Sequence, residues 1–150
     1  AAGIEISPVT NGPVVNQYMQ TSVPSVFACG NVVHVNDLVD NVTVESMLAG
    51  TYAAKYAAGE LEQKKEVRTV TGANVRYICP QRLMPGEDGK AKLFFRVLAP
   101  DMDVRIEAKC NGKVIASKKE RRVNPGEMCS IQVPMSELDS DIMVDVIKEA

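Results

Sequence analysis

Asp103-Val104-Arg105-Ile106-Glu107-Ala108-Lys109-Cys110-Asn111-Gly112 alternates apolar and polar residues without a break until its last two. Val104, Ile106, Ala108 and Cys110 point one way; Asp103, Arg105, Glu107 and Lys109 point the other. A period of two with that contrast describes a strand in a sheet with one wet face. Asn111-Gly112 is the preferred pair for a type I′ hairpin, because both residues tolerate positive φ. Lys113–Arg122 is therefore expected to return antiparallel to it.

Outward from this hairpin the same period recurs. Asn124-Pro125-Gly126-Glu127 reads as a second turn, of type II. Cys129, Ile131 and Val133 make an inward face that Pro134 ends. Met135–Ser140 has room for a helical turn, and Ile142, Val144 and Val146 form a last strand. Upstream, Ala91, Leu93, Phe95 and Val97 share a face, and Pro100 closes that strand. Met84–Lys90, with Pro85-Gly86 and Asp88-Gly89, is a loop. Thr69–Cys79 alternates as well, with Thr71, Ala73, Val75, Tyr77 and Cys79 on one side. About six strands at regular spacing predict an antiparallel β-sandwich, Ig-like in style, over residues 63–150. It holds no histidine, no Ser-His-Asp set and no glycine-rich phosphate loop. Lys118-Lys119-Glu120-Arg121-Arg122 reads as a solvated strand end, with an acidic partner as the alternative.

Residues 1–62 follow a different pattern. Ile4–Ile6 and Val14-Val15 flank the turn signal Thr10-Asn11-Gly12-Pro13, which predicts a small hairpin. Val26-Phe27-Ala28-Cys29 reads as a short strand that stops at Gly30-Asn31. Val42–Ala58 is a helix, with Asp40 or Asn41 as its cap and Gly59 as its stop. Ala49, Ala53 and Ala57 form one ladder of small residues along it; Gly50, Ala54 and Ala58 form another. Such ladders allow close packing against a sheet or backbone. The boundary is placed in Glu60-Leu61-Glu62-Gln63-Lys64-Lys65, where the charge also changes sign. Through Glu62 six acids face one base, a net −5; the remainder carries sixteen bases and thirteen acids, a net +3.

The stretch Thr21, Pro24, Ser25, Val26, Phe27, Ala28, Cys29, Gly30, Asn31, with the lead-in Gly12-Pro13-Val14-Val15 and Met19-Gln20, resembles a known motif. It is similar to the last FAD-contacting segment of pyridine-nucleotide-dependent flavoprotein oxidoreductases, the thioredoxin-reductase-like and glutathione-reductase-like group. Ser25 stands where that family has glycine, and Asn31 where it has aspartate. The resemblance covers about the first sixty residues. It implies an FAD-binding, Rossmann-like remnant over residues 1–62 and an overall α+β fragment. It further implies that Gly30 lets the backbone come close to the flavin, that Asn31 accepts a bond from a ribityl hydroxyl, and that the Val42 and Thr43 amides lie by the pyrimidine edge. The helix dipole there would favour a reduced, anionic flavin. FAD and NAD(P) are the cofactors implied for an intact oxidoreductase. The Gly-x-Gly-x-x-Gly turns that seat their pyrophosphates do not occur in these residues. The chain is thus expected to be the C-terminal piece of a longer flavoprotein, inactive alone, with no catalytic residue of its own. Its expected partners are the rest of the FAD-binding domain and a second copy of itself, as a dimer.

The other residues add exclusions. A net charge of −2 gives no pull towards nucleic acid. No apolar run approaches a membrane span. Cys29, Cys79, Cys110 and Cys129 lack metal-ligand spacing and read as buried thiols of a cytoplasmic protein. His34, the lone histidine, reads as a surface or hydrogen-bonding residue, with an approach to flavin or substrate as the alternative. Asp40 reads as a helix cap before it reads as an acid or base. The competing reading of the whole chain is a non-enzymatic β-sandwich interaction and oligomerisation module.

Overall fold

The computed structural model describes residues 2–86 and 89–149. Glu87 and Asp88 of the expected 84–90 loop lie outside the described residues. The chain divides into two compact units, Ala1–Lys64 and Lys65–Ala150. The fold is α+β, with one α-helix among the described residues and two sheets, one mixed and one antiparallel, neither closed into a barrel. No helix is long and apolar enough to cross a membrane, among the described residues.

Among its described residues the C-terminal unit carries eight strands: β1 Val67–Thr71, β2 Val75–Cys79, β3 Arg82–Leu83, β4 Lys90–Val97, β5 Asp101–Cys110, β6 Lys113–Val123, β7 Cys129–Pro134 and β8 Ile142–Lys148. The five-stranded sheet runs β3-β1-β8-β5-β6, and the three-stranded sheet β2-β4-β7. Val104, Ile106, Ala108 and Cys110 of β5 are all buried, as their alternation requires. Val104, Ile106 and Ala108 join Leu93, Phe95 and Val97 of β4 and Val144 and Val146 of β8 in one hydrophobic cluster fed by both sheets. The hairpin closes Cys110 onto Lys113, with Asn111 at φ 53 and Gly112 at φ 77. A 3-10 turn at Met135–Glu137 occupies the expected place.

Three expectations are corrected. The pairing is not antiparallel throughout: β1 runs parallel to β8, Thr69 opposite Ile142 and Thr71 opposite Val144. Alternation fixes which face a side chain takes but carries no strand direction, and a parallel pair needs a long crossover. Second, residues 69–79 do not form one strand. The chain leaves β1 at Gly72 and enters the other sheet at Val75. Asn74, at φ 57, turns the corner and grips Ala99 through both ends of its side-chain amide. A register shift between Val75 and Tyr77 then puts Ile78 and Cys79 in the core. Third, the 124–127 turn closes with Glu127 N–H to Asn124 O at 2.9 Å, but Gly126 lacks the positive φ of type II. Asn124 Oδ1 accepts the Gly126 N–H instead.

The wet face of the larger sheet is laced with ion pairs. Arg105 makes two bonds to Glu149, at 2.9 and 2.6 Å. The guanidinium holds the Glu149 carboxyl below the usual carboxylate range and is itself pushed up by it. Lys118 pairs with Glu120, Lys119 with Glu149 and Arg122 with Glu127. Most of the basic cluster is thus neutralised locally by exposed pairs of small energetic worth.

The N-terminal unit has no regular strand among its described residues. Three isolated bridges stand in for them: Ile6 with Pro13, Val15 with Thr21, Gln20 with Phe27. The first is the expected hairpin. The expected strand at 26–29 shrinks to the single bridge at Phe27, a correction whose cause is the lack of a second neighbour to continue the ladder. A buried polar knot replaces it. Asn16 Oδ1 accepts the N–H groups of Tyr18 and Gln20, and Asn16 Nδ2 donates to Gln20 Oε1. Gln20 Nε2 then donates to the Pro24 carbonyl.

Helix α1 runs Val39–Ala57. It starts three residues before the expected Val42. Leu38 is the N-cap residue and gives no side-chain cap, so neither Asp40 nor Asn41 caps it. Asp40 lies in the first turn, where the dipole favours an acid. The end is as read: Gly59 at φ 74 sends its N–H to Tyr56 O, and Glu60 N–H reaches Lys55 O. That double bond pattern is a Schellman motif, which needs a residue at ease with positive φ.

Candidate functional site

Four residues carry the expected site: Gly30, Asn31, Val42 and Thr43. Gly30 opens a 3-10 turn, Gly30–Val32, at φ 75. A side chain is disfavoured in that conformation, so glycine is needed there. Its carbonyl accepts the N–H groups of Val33 and His34. Its own N–H donates to Glu45 Oε2 at 2.8 Å. Val42 Cγ1 stands 3.5 Å from where a Gly30 Cβ would be. The turn and the helix are therefore in direct contact, and Gly30 and Val42 are neighbours.

Asn31 is exposed. Its Oδ1 accepts the Asn36 N–H at 3.1 Å. The oxygen expected to meet a ribityl hydroxyl thus already has one donor. Asn36 Nδ2 donates to the His34 carbonyl, while Asn36 Oδ1 is buried with no partner among the described residues. Val42 and Thr43 lie one turn inside α1, since the helix begins at Val39. The Thr43 hydroxyl donates back to Val39 O, and the Ser46 hydroxyl to Val42 O. Ser46 Oγ in turn accepts from Cys29 Sγ at 3.6 Å.

The residue that holds these parts together is Glu45, which the sequence reading did not single out. Glu45 is 3% exposed and His34 2%. His34 Nε2 is 2.8 Å from Glu45 Oε1. With Oε2 bonded to Gly30, both carboxylate oxygens are engaged. The reading of His34 as a hydrogen-bonding residue holds, but not its surface placement. A signal for Glu45 was present: the ladder Ala49, Ala53, Ala57, continued four residues towards the N-terminus, lands on it.

Beyond Glu45 the inner stripe of α1 is aromatic. Tyr52 stacks on Tyr18 with ring centroids 4.2 Å apart, and Tyr56 meets Phe27 edge-on. Burial, and then the neighbouring Tyr52, push the Tyr18 hydroxyl up from the usual tyrosine value. Only Glu45 and Ala49 of the nineteen helix residues are buried. Val39, Val44 and Met47 are exposed, and nothing lies within 4 Å of a Cβ built on Gly50.

An open cleft of about 300 Å³ in the C-terminal unit is lined by Cys110, Lys113, Glu137 and Asp139 among others. Cys110 Sγ lies 3.2 Å from Asp139 Oδ1, which also accepts from Asn111 Nδ2. These are bonds that tie the hairpin to the segment just after the 3-10 turn. No cluster of three or more metal-ligating side chains occurs among the described residues.

Comparison with known proteins finds no matching family model, no matching curated protein and no matching solved structure.

Proposed function

We propose that this chain is the flavin-facing C-terminal part of an FAD- and NAD(P)-dependent oxidoreductase, joined to an Ig-like β-sandwich. The observation that carries the reading is the Gly30 turn, at φ 75, packed on Val42 of a helix whose other side is open. In that reading residues 1–62 are the remnant of a Rossmann-like domain. The open face of α1, with its Gly50-Ala54-Ala58 ladder, is where the rest of the FAD-binding domain would pack. Gly30 and Asn31 would meet the ribityl chain, and the first turns of α1 around Val42 and Thr43 the pyrimidine edge. Asn31 Oδ1 already accepts one N–H, and its second lone pair would accept from a ribityl hydroxyl. In the intact enzyme hydride would pass between nicotinamide and flavin; the cofactors supply that chemistry and the protein positions them. The free thiols fit a reducing, cytoplasmic compartment.

The pyrophosphate turn is not in these residues, so this chain alone is expected to bind FAD weakly, with a dissociation constant of about 1 mM. Titration of the labelled chain with FAD, followed by NMR, checks this. Amide shifts confined to Gly30, Asn31, Val42 and Thr43 support the reading. Silence at all four, or tight stoichiometric uptake in equilibrium dialysis, contradicts it.

A second reading has an observation of its own. The hydrophobic cluster of buried residues runs from Val75 to Val146, entirely within the C-terminal unit. That unit therefore has the core of an independent interaction module. Both readings expect self-association, because Val32, Val35, Leu38, Val39, Val44 and Met47 are exposed in the N-terminal unit. Light scattering at high concentration is expected to give a dimer; a clean monomer counts against it.

A further inference from the structure

Glu45 and His34 are the two buried acid–base side chains of the N-terminal unit among its described residues. A buried carboxylate is costly unless its lone pairs are met, and an apolar residue in its place would avoid that cost. On a helix stripe that continues into Ala49, an acid is not needed for packing. What it does instead is visible in its bonds. Oε2 receives the Gly30 N–H, a donor that lies outside the helix and fifteen residues back in the chain. Oε1 is 2.8 Å from His34 Nε2. A carboxylate oxygen can only accept, so when Glu45 is ionised the donor of this bond is His34 Nε2. The His34 N–H also returns to the Gly30 carbonyl, at 3.4 Å. The Gly30 N–H is thus held by the Glu45 side chain, and its carbonyl by the His34 backbone N–H.

We propose that Glu45 and His34 are positioning residues for the flavin-facing turn. Glu45 fixes the Gly30–Asn31 corner against the first turns of α1, and His34 fixes the rotation of the Glu45 carboxylate. Neither touches the ligand; both act through Gly30. This proposal rests on the flavin reading above, and its test separates the two.

The test uses the full chain with FAD as the probe and the amides of Gly30, Asn31, Val42 and Thr43 as reporters. Glu45→Leu and His34→Leu keep bulk and remove the polar atoms. Both are expected to keep helical circular dichroism and to weaken FAD binding about tenfold. Responses at Gly30 and Asn31 should disappear while Val42 and Thr43 still respond, a split that a general loss of structure would not give. Glu45→Gln keeps an oxygen for Gly30, and His34→Gln keeps an N–H near the place of Nε2. Both should bind FAD within about threefold of the parent chain. Leucine variants that bind like the parent overturn the proposal and leave the flavin reading standing. A parent chain whose four amides ignore FAD overturns both. If the leucine variants lose α1, the glutamine pair decides: near-parental affinity sustains the proposal, and a tenfold loss in either overturns it.

Discussion

Gly72→Ala is expected to destabilise the C-terminal unit by about 3 kcal/mol or more, from overpacking and a lost charge-assisted bond. An added Cβ would stand 2.0 Å from Asp145 Oδ1, 2.8 Å from Asp145 Cγ and 2.7 Å from the Val144 carbonyl oxygen. The backbone angle at Gly72 is not in the left-handed region, so the collision is the whole effect. Neither neighbour can step aside cheaply. Gly72 N–H is bonded to Val144 O at 2.9 Å, which sets the two chains at that distance. Asp145 Oδ1 accepts the Ala73 N–H at 2.7 Å, and Oδ2 faces Lys109 at 3.4 Å. Moving the carboxylate orphans a backbone donor; moving the backbone breaks the β1–β8 ladder. The thermal midpoint of the unit should fall by about 10–20 °C. The double variant Gly72→Ala/Asp145→Ala should cost less than the two single changes added, since the nearest clash is shared. A loss under about 1 kcal/mol in Gly72→Ala would mean that the corner yields, and the account of it is wrong.

That corner also marks where local pattern stops being informative. The β5–β6 hairpin was legible because everything that makes it lies within ten residues. Alternation sets the faces, and Asn111-Gly112 sets the turn. The break at 72–74 depends on Val144 and Asp145, more than seventy residues away, and the only local sign is a glycine inside a strand pattern. Such a glycine often marks a close backbone approach. The parallel β1–β8 pair is hidden for the same reason. In the 124–127 turn the residue types permit type II, yet the Asn124 side chain bonds the Gly126 N–H and selects another geometry. A side-chain acceptor two residues back competes with the backbone preference.

In the N-terminal unit the helix stop was legible and the start was not. Gly59 acts alone, through its own φ. The start at Val39 follows the 31–36 loop, where Asn36 donates to both Asn31 Oδ1 and the His34 carbonyl. Asp40 and Asn41 match a cap in type but fall after the first helical residue. The site shows the same division. The choice of glycine at position 30, ahead of a helix, was readable as a place of close backbone approach; its positive φ was not. The engagement of Asn31 Oδ1 and the burial of Glu45 with His34 were not, because they depend on how the loop folds back on α1.

Gly12→Ala tests that folding back. A Cβ there would lie 2.1 Å from Val32 O, 2.5 Å from Val33 O and 3.0 Å from Val33 C. All three are backbone atoms of the turn that begins at Gly30, so no rotamer change relieves the contact. Gly12 is itself pinned, its carbonyl accepting the Ser7 N–H at 2.9 Å and its N–H donating to Thr10 Oγ1. The hairpin must therefore part from the 30–33 turn, exposing Val33, which is now fully buried. The expected loss is about 3 kcal/mol, a large share of the stability of so small a unit. The readout is helical circular dichroism on heating, since α1 is the one α-helix among the described residues. Gly50→Ala serves as the contrast: its Cβ meets nothing, and an alanine inside a helix should add about 0.5–1 kcal/mol. Opposite signs for two glycine-to-alanine changes would tie the loss to the Gly12 contact, not to glycine chemistry in general. If Gly12→Ala instead melts with the parent chain, the lead-in and the Gly30 turn are not packed as one piece. The flavin reading would then lose the rigidity that its site requires.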